Sequence, residues 1–258
     1  MAKVSSAVVT HPGMRREGNE DAYCCRPDLG LYVVADGMGG HAAGEVASGI
    51  AVEVIEAFIN DTRDADMNRT WPFPYDKTLS IDGNRLKAAV RLANRRLAAA
   101  MAADDSLRGM ATTAVAVLLT DRPPVVAHVG DSRVYLWRDD HLRQVTQDHS
   151  WVGEQVRAGM LTEVDARRHP WRNVVTRAIA GGEDPEVEVQ ELTVQPGDRI
   201  LLCSDGLSAV IAPEPLEAMV AQKRTLEQTC QVLIDAANAA GGPDNITVVM
   251  LEIESDVA

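Results

Sequence analysis

The sequence predicts an α+β fold in which antiparallel strands and helices form separate layers. Apolar runs rich in β-branched residues are bounded by turn signals, and they outnumber the segments with helical spacing. These runs cluster as hairpins instead of alternating with helices, which argues against a doubly wound parallel sheet. The chain has 258 residues, of which 46% are hydrophobic and 24% charged, so it can bury the core of a globular protein. No repeat or low-complexity linker divides it, and we expect one domain over residues 1–258.

Seven segments are predicted to be strands. In chain order they are residues 4–10, 31–35, 112–119, 125–129, 133–137, 199–203 and 246–253. The turn Gly130-Asp131-Ser132 joins the fourth and fifth segments into a tight hairpin, and Pro196-Gly197-Asp198 precedes the sixth. The hairpin indicates antiparallel pairing.

Three longer segments show the apolar periodicity of amphipathic helices. They are residues 46–59, 86–101 and 226–237. Asp82-Gly83-Asn84 marks the start of the second helix, and Gly241-Gly242-Pro243 ends the third. We expect shorter helices near residues 150–159 and 214–222, and an irregular connection over residues 60–82 that either contacts a partner or packs over the sheet.

The composition excludes several classes of partner. With 25 Lys and Arg against 38 Asp and Glu, the net charge is −13, which argues against nucleic acid or anionic membranes. No apolar run approaches the roughly 18 residues that span a bilayer, and the first residues lack the apolar core of a signal peptide, so we expect a cytoplasmic protein. The four cysteines form neither CxxC nor zinc spacing, and reduced, buried thiols are expected.

Carboxylates at the ends of predicted strands are the candidate functional residues. Asp36 and Asp205 each end an apolar strand and precede a glycine, Asp131 lies in a hairpin turn, Asp244 precedes the last strand, and Glu20-Asp21 follow a polar turn. A single aspartate in such a place is usually a turn former or a helix cap. Several together repel one another unless a cation neutralises them. Oxygen ligands without Cys or paired His favour Mg²⁺ or Mn²⁺ over zinc, and carboxylates shared by two such ions suggest a binuclear hydrolase.

One alternative arises from Gly37-Met38-Gly39-Gly40-His41-Ala42, which matches a dinucleotide-binding fingerprint between a strand and a helix. Asp36, directly before the first glycine, would face the pyrophosphate, and the strands that follow do not form a second βαβ unit. We therefore do not expect nicotinamide or flavin binding.

Eight short motifs run in order through nearly the whole chain. They are Arg16-Glu17-Gly18-Asn19-Glu20-Asp21, Val34-Ala35-Asp36-Gly37-Met38-Gly39-Gly40-His41, Gly109-Met110-Ala111-Thr112-Thr113, Gly130-Asp131-Ser132-Arg133, Thr146-Gln147-Asp148-His149-Ser150, Asn173-Val174-Val175-Thr176-Arg177-Ala178, Leu202-Cys203-Ser204-Asp205-Gly206-Leu207 and Asp244-Asn245-Ile246-Thr247. Together they resemble the metal-dependent protein phosphatases of the PPM family (type 2C), in their compact bacterial form. The resemblance implies a single PPM-type catalytic domain with an αββα sandwich, that is, two antiparallel sheets flanked by helices on both faces.

The resemblance also implies a metal site with two Mn²⁺ or Mg²⁺ ions and a looser third ion. Asp36 would bridge two ions, Asp205 and Asp244 would complete one, and the Gly37 carbonyl would bind the other. Asp131, with Asp205, would form the third site. Glu20 and Asp21 would act mainly through metal-bound waters.

Two further residues would act on the phosphate ester. Arg16 offers a planar fork for two phosphate oxygens, and His41 is the candidate general acid for the leaving Ser or Thr oxygen. On composition alone, Arg16 would be a surface arginine and His41 a helix-start residue. His149 and Asp148 are expected to fix a loop and not to bind metal.

The implied activity is hydrolysis of phosphoserine and phosphothreonine by direct attack of a water that bridges the two ions, which reverses Ser/Thr kinase signalling. The partners would be phosphorylated proteins, among them Ser/Thr kinases and their substrates, and a monomer is expected. The flap that borders the active site in this family corresponds to residues 150–172. Its Arg167, Arg168 and Arg172 either meet an acidic flank of the substrate or form a solvated helix face. Two alternatives stay open: a catalytically silent phosphoprotein-binding module, and a metallophosphatase that acts on small phosphorylated metabolites.

Overall fold

The computed structural model describes residues 3–39, 43–64 and 71–254, and its architecture is α+β. Two antiparallel sheets pack face to face and helices cover their outer faces, which confirms the predicted sandwich. In these ranges every strand pairing is antiparallel, so the parallel βαβ unit that a dinucleotide fingerprint requires does not form there.

The first sheet has six strands, and the second has five. The strands of the first are β2 (Asp21–Arg26), β3 (Leu31–Met38), β4 (Ala111–Thr112), β5 (Ala114–Leu118), β6 (Val125–Val129) and β9 (Glu188–Glu191). Those of the second are β1 (Val4–His11), β7 (Arg133–Arg138), β8 (His141–Gln144), β10 (Arg199–Cys203) and β11 (Ile246–Ile253). Their orders are β2-β3-β5-β6-β9, with β4 beside β3, and β1-β11-β10-β7-β8.

The helices fall into three groups. Two cover the six-stranded sheet, α1 (Ala43–Asp61) and α2 (Ile81–Ala103). Three cover the five-stranded sheet, α5 (Asp205–Ser208), α6 (Pro213–Val220) and α7 (Leu226–Ala239). Two short helices, α3 (Trp151–Arg157) and α4 (Glu163–Arg168), lie within residues 150–172, the segment that is expected to be the flap and is called the flap below. None of the helices in the described ranges combines the length and apolar character needed to cross a membrane.

Strand alternation sorts the apolar side chains into layers. On β3, Leu31 and Val33 pack against α1 and α2, whereas Tyr32 and Val34 lie between the two sheets. The same alternation on β10 places Leu202 between the sheets. Both faces of these strands are therefore buried, which explains their continuous apolar runs.

The strand predicted over residues 112–119 is divided into β4 and β5 at Thr113. The hydroxyl of Thr113 accepts the N–H of Asp36 at 3.1 Å, and the N–H of Thr113 donates to the Asp36 carbonyl at 2.9 Å. The predicted strand is thus interrupted at the residue that bonds the backbone of Asp36, a candidate site residue.

In the connection between α1 and α2, residues 65–70 lie outside the described ranges. Of the rest, Phe73 is buried, and the guanidinium of Arg95 lies 4.0 Å from its ring centroid. This part of the connection packs on α2.

Candidate active site

Two carboxylates come from the six-stranded sheet. Asp36 lies two residues beyond Val34 on β3, so alternation directs its side chain to the space between the sheets. Asp21 opens β2 directly opposite Asp36 in the strand register. The end of one β2–β3 pair therefore presents both carboxylates at the rim of the buried core.

Two more carboxylates come from the five-stranded sheet. Asp205 is the first residue of α5, and Asp244 lies just before β11. Between them Gly206 permits close approach, since a Cβ atom on Gly206 would lie only 2.0 Å from the Asn245 carbonyl oxygen. The Ser204 hydroxyl donates to Asp21 Oδ2 at 2.8 Å, which links the two sheets at the site.

Asp131 lies in the turn between β6 and β7 and is 7% exposed. Gly130, just before it, has a φ of 109°, and a Cβ atom there would lie 2.5 Å from the Thr113 side chain. The Thr113 hydroxyl also lies 2.8 Å from the Ser132 hydroxyl. Thr113 therefore ties this turn to Asp36, whose N–H its hydroxyl accepts.

Glu20 and Gly37 form the wall beside Asp36. The Glu20 carbonyl accepts the N–H of Gly37 at 3.1 Å and the hydroxyl of Ser48 at 2.6 Å. A Cβ atom on Gly37 would lie 2.1 Å from the Gly44 carbonyl oxygen, so only glycine fits between β3 and the start of α1.

Arg16 lies at the mouth of the site. Its side chain is 52% exposed, and Nη2 donates to Asp244 Oδ2 at 2.8 Å. Arg16 and Glu20 help to line a cavity of about 390 Å³ beside the carboxylates. The described residues thus bring together all the predicted site residues except His41, which lies outside the described ranges.

Asn245 is a functional candidate that the sequence did not single out. Its Oδ1 accepts the N–H of Glu20 at 2.8 Å, and its Nδ2 donates to the carbonyls of Pro12 at 2.9 Å and Gly18 at 2.8 Å. These three bonds hold the loop that carries Arg16. The only signal in the sequence is its place beside Asp244 in a motif.

The carboxylates strongly perturb one another. Burial, with the charges of nearby carboxylates, raises the pKa of Asp205 to about 6, of Asp21 to about 7 and of Asp131 to about 8. The pKa of Asp36 is raised well above its ordinary value by burial and by the four other aspartates. Burial also raises the pKa of Glu20. Without a cation, the site must take up protons near neutral pH.

The residues fit divalent cations. The donors are oxygens, as Mg²⁺ and Mn²⁺ prefer. Within the described part of the chain, the buried Asp21 Oδ1 has no hydrogen-bond partner, so one carboxylate oxygen at the site is unsatisfied. Clustered carboxylates with raised pKa values and an orphaned oxygen are what a cation would relieve.

Known proteins are similar to this chain over nearly its whole length. The protein phosphatase 2C family matches residues 15–247. The serine/threonine phosphatase stp of Listeria innocua is 37% identical over 251 residues, which cover 94% of this chain and 93% of that protein. PstP of Mycobacterium tuberculosis is 37% identical over 243 residues, 93% of this chain and 43% of that longer protein.

Solved structures of serine/threonine phosphatases are also similar to this chain. The crystal structure of the Mycobacterium tuberculosis serine/threonine phosphatase PstP/Ppp has a TM-score of 0.84 and 35% identity, and covers 98% of this chain and 99% of that one. The catalytic domain of PstP in complex with two manganese ions has a TM-score of 0.81 and 34% identity over the same shares of the two chains. Divalent metals are thus the cofactors of the family. The chain belongs to the protein phosphatase 2C family and is a metal-dependent serine/threonine protein phosphatase.

Proposed function

We propose that this phosphatase hydrolyses phosphoserine and phosphothreonine in proteins by direct attack of water, and that it reverses Ser/Thr kinase signalling. The observation that carries the proposal is the convergence of aspartates from both sheets beside an exposed arginine. Asp21 and Asp36 come from one sheet, and Asp205 and Asp244 from the other. We include in the proposal that residues 1–258 form a single catalytic domain, which acts in the cytoplasm as a monomer.

The ligand assignment extends the resemblance to these residues. Asp36 would bridge two Mn²⁺ or Mg²⁺ ions, Asp205 and Asp244 would complete one, and the Gly37 carbonyl would serve the other. Asp131 and Asp205 would hold a looser third ion. Glu20 and Asp21 would orient water molecules around them. When bound, such cations lower the pKa of water and neutralise phosphoryl charge.

The chain's own residues then bind the ester and handle protons. Arg16 is exposed, so its guanidinium can leave Asp244 and donate two parallel hydrogen bonds to phosphoryl oxygens. His41 is assigned as the general acid that protonates the leaving oxygen. A phospho-enzyme is not needed, and burial raises the pKa of the nearby Cys203 to about 12, so its thiol is a poor nucleophile near neutral pH.

The test is phosphate release from a phosphothreonine peptide at saturating Mn²⁺. Asp36→Asn should lower kcat/KM by more than about 100-fold, because losing even an outer partner of a metal ligand costs about 10–100-fold. Asp235→Asn is the matched control, since Asp235 is exposed on α7 on the outer face of the five-stranded sheet. Equal activity of Asp36→Asn and Asp235→Asn would contradict the proposal.

The same assay separates the alternatives. Tight binding of the phosphopeptide without turnover by the unmodified protein would indicate a silent binding module. Faster hydrolysis of sugar phosphates than of phosphopeptides would indicate a metabolite phosphatase.

A further inference from the structure

His149 lies in the interior at the base of the flap. The side chain is fully buried, and Ser150, the next residue, pairs with Val175 as a β-bridge. The carbonyl of His149 accepts the N–H of Thr176 at 2.8 Å. The flap therefore leaves the fold and returns to it beside His149.

The same residue holds the turn that carries Asp131. The backbone N–H of His149 donates to the Gly130 carbonyl at 3.0 Å, and its Nδ1 accepts the Gly130 N–H at 3.1 Å. Both hydrogen-bonding groups of the Gly130 backbone are thus satisfied by His149. The Thr113 side chain packs against the other side of Gly130. The turn that carries Asp131 is therefore held by His149 on one side and by Thr113 on the other.

The bond to Gly130 defines the tautomer of His149. An accepting Nδ1 places the proton of the neutral ring on Nε2. Burial lowers the pKa of His149, which keeps the ring neutral. Nε2 lies 3.0 Å from Glu188 Oε1 but forms no hydrogen bond with it, so the tautomer is assigned from the bond to Gly130.

A metal ion is a poor occupant of this cluster. Ligand atoms of His128, His149 and Glu188 lie within 4.8 Å of one another, a set that zinc can use. However, His128 Nε2 lies 2.8 Å from the Gln147 carbonyl and must donate its proton there, since that oxygen only accepts. Both Nε2 atoms therefore carry protons, and neither can bind a metal in this arrangement.

We propose that His149 is a positioning residue that couples the flap to the Asp131 carboxylate. The part that concerns metal affinity rests on the proposed function, since it takes Asp131 as a ligand. The coupling itself is a property of the fold and can be measured on the metal-free protein.

The first experiment measures amide hydrogen exchange in metal-free protein. His149→Leu removes the acceptor of the Gly130 N–H, and exchange of Gly130 and of the flap should rise together by about tenfold or more. His149→Asn supplies an oxygen near the Nδ1 position and should restore most of the protection. His128→Leu is the matched control, because His128 is equally buried, stacks on His149 at 4.6 Å and is not bonded to Gly130. It should leave Gly130 protected.

The second experiment measures Mn²⁺ binding by calorimetry. His149→Leu should weaken the most weakly bound Mn²⁺ by about tenfold, in the range typical of outer partners of a metal site, whereas His128→Leu should not. Equal exchange and equal Mn²⁺ binding in the two leucine variants would overturn the inference. A zinc ion lost from both leucine variants would also overturn it, in favour of a second metal site. Unmodified protein that binds no Mn²⁺ would contradict the proposed function, while the exchange experiment would still decide the coupling.

Discussion

Arg16 and His41 are assigned to different oxygens of the phosphate ester. Arg16 lies beside Asp244 at the mouth of the site, where it can contact phosphoryl oxygens that stay with phosphorus. His41 would serve the oxygen that departs. Substrates with different leaving groups therefore distinguish the two side chains.

We predict that His41→Gln lowers kcat for a phosphoserine peptide by about 100-fold or more, the usual contribution of a general acid. The rate on p-nitrophenyl phosphate should change little, because nitrophenolate leaves without a proton. The measurement is kcat on both substrates at saturating Mn²⁺. His141→Gln is the control, since His141 is 84% exposed on the edge strand β8. Equal losses on both substrates would remove His41 from the proton transfer.

The sequence predicted the roles of the carboxylates that are expected to bind metal. It did not predict the roles of residues that position other residues through hydrogen bonds. In the sequence, Asp36 and Asp205 each follow an apolar run and precede a glycine, and this local pattern is visible without the structure. Ser204 and Asn245 bond groups that lie 183 and 225 positions away in the chain, at Asp21 and Glu20. No local pattern encodes such partners.

At the scale of elements, the strands that are buried on both faces follow the predictions, whereas the polar edge strands β8 and β9 were not predicted. The predicted segments 125–129, 199–203 and 246–253 coincide with β6, β10 and β11, which are buried on both faces. β8 and β9 lie at sheet edges with mostly exposed or half-buried polar side chains, so they lack apolar periodicity. The helices α4 and α5, with six and four residues, are too short to show it.

The flap forms one wall of a cavity of about 470 Å³ that reaches Asp131 and Asp205. Arg167 and Arg172 line it from the flap side. Arg167 donates to the carbonyls of Ser208 and Ile211 at 3.3 Å, whereas Arg172 is exposed. Arg172 is therefore the better placed of the two to meet a substrate.

We predict that Arg172→Glu raises KM for a phosphopeptide with acidic flanking residues by severalfold, because the reversed charge repels it. The kcat for p-nitrophenyl phosphate, which has no flank, should be unchanged. Arg96→Glu makes the same charge change on the exposed side of α2 and is the control. If both variants behave alike on both substrates, the flap arginines are solvated surface residues.

At the scale of the whole molecule, the site joins two sheets that pack on each other mainly through apolar side chains. Asp21 and Asp36 belong to one sheet and Asp205 and Asp244 to the end of the other, so cations held between them would link both halves. Ligands that bind only the folded state raise its stability by mass action. The carboxylates also make that stability depend on pH.

We predict that metal-free protein loses stability as pH rises from about 7 to 8.5, above the range in which the lowered pKa values of the buried His128 and His149 give the opposite slope. The raised pKa values of Asp205, Asp21 and Asp131, about 6, 7 and 8, exceed the ordinary value near 4 of the unfolded chain, so the folded state binds more protons in this range. The stability from these groups is present at the acidic end and is lost as pH rises through the folded pKa values. The melting temperature in EDTA should fall by several degrees, and Asp131→Asn should flatten that fall.

Saturating Mn²⁺ provides the companion measurement. Carboxylates that face a cation are already ionised, so the melting temperature should be higher and much less dependent on pH. A melting temperature in EDTA that rises steadily over the same interval would contradict the sign of this linkage.

The Ser150–Val175 bridge has a consequence for how this enzyme can diversify. The flap, which lies between the two bridged residues, contains a small aromatic cluster. In it, the ring centroid of Trp151 lies 4.7 Å from that of His169 and 4.8 Å from that of Trp171. Insertions, deletions and substitutions in such a segment can accumulate without altering the register of either sheet. Such changes can therefore alter the surface beside the site without moving the strands that carry Asp21 and Asp36.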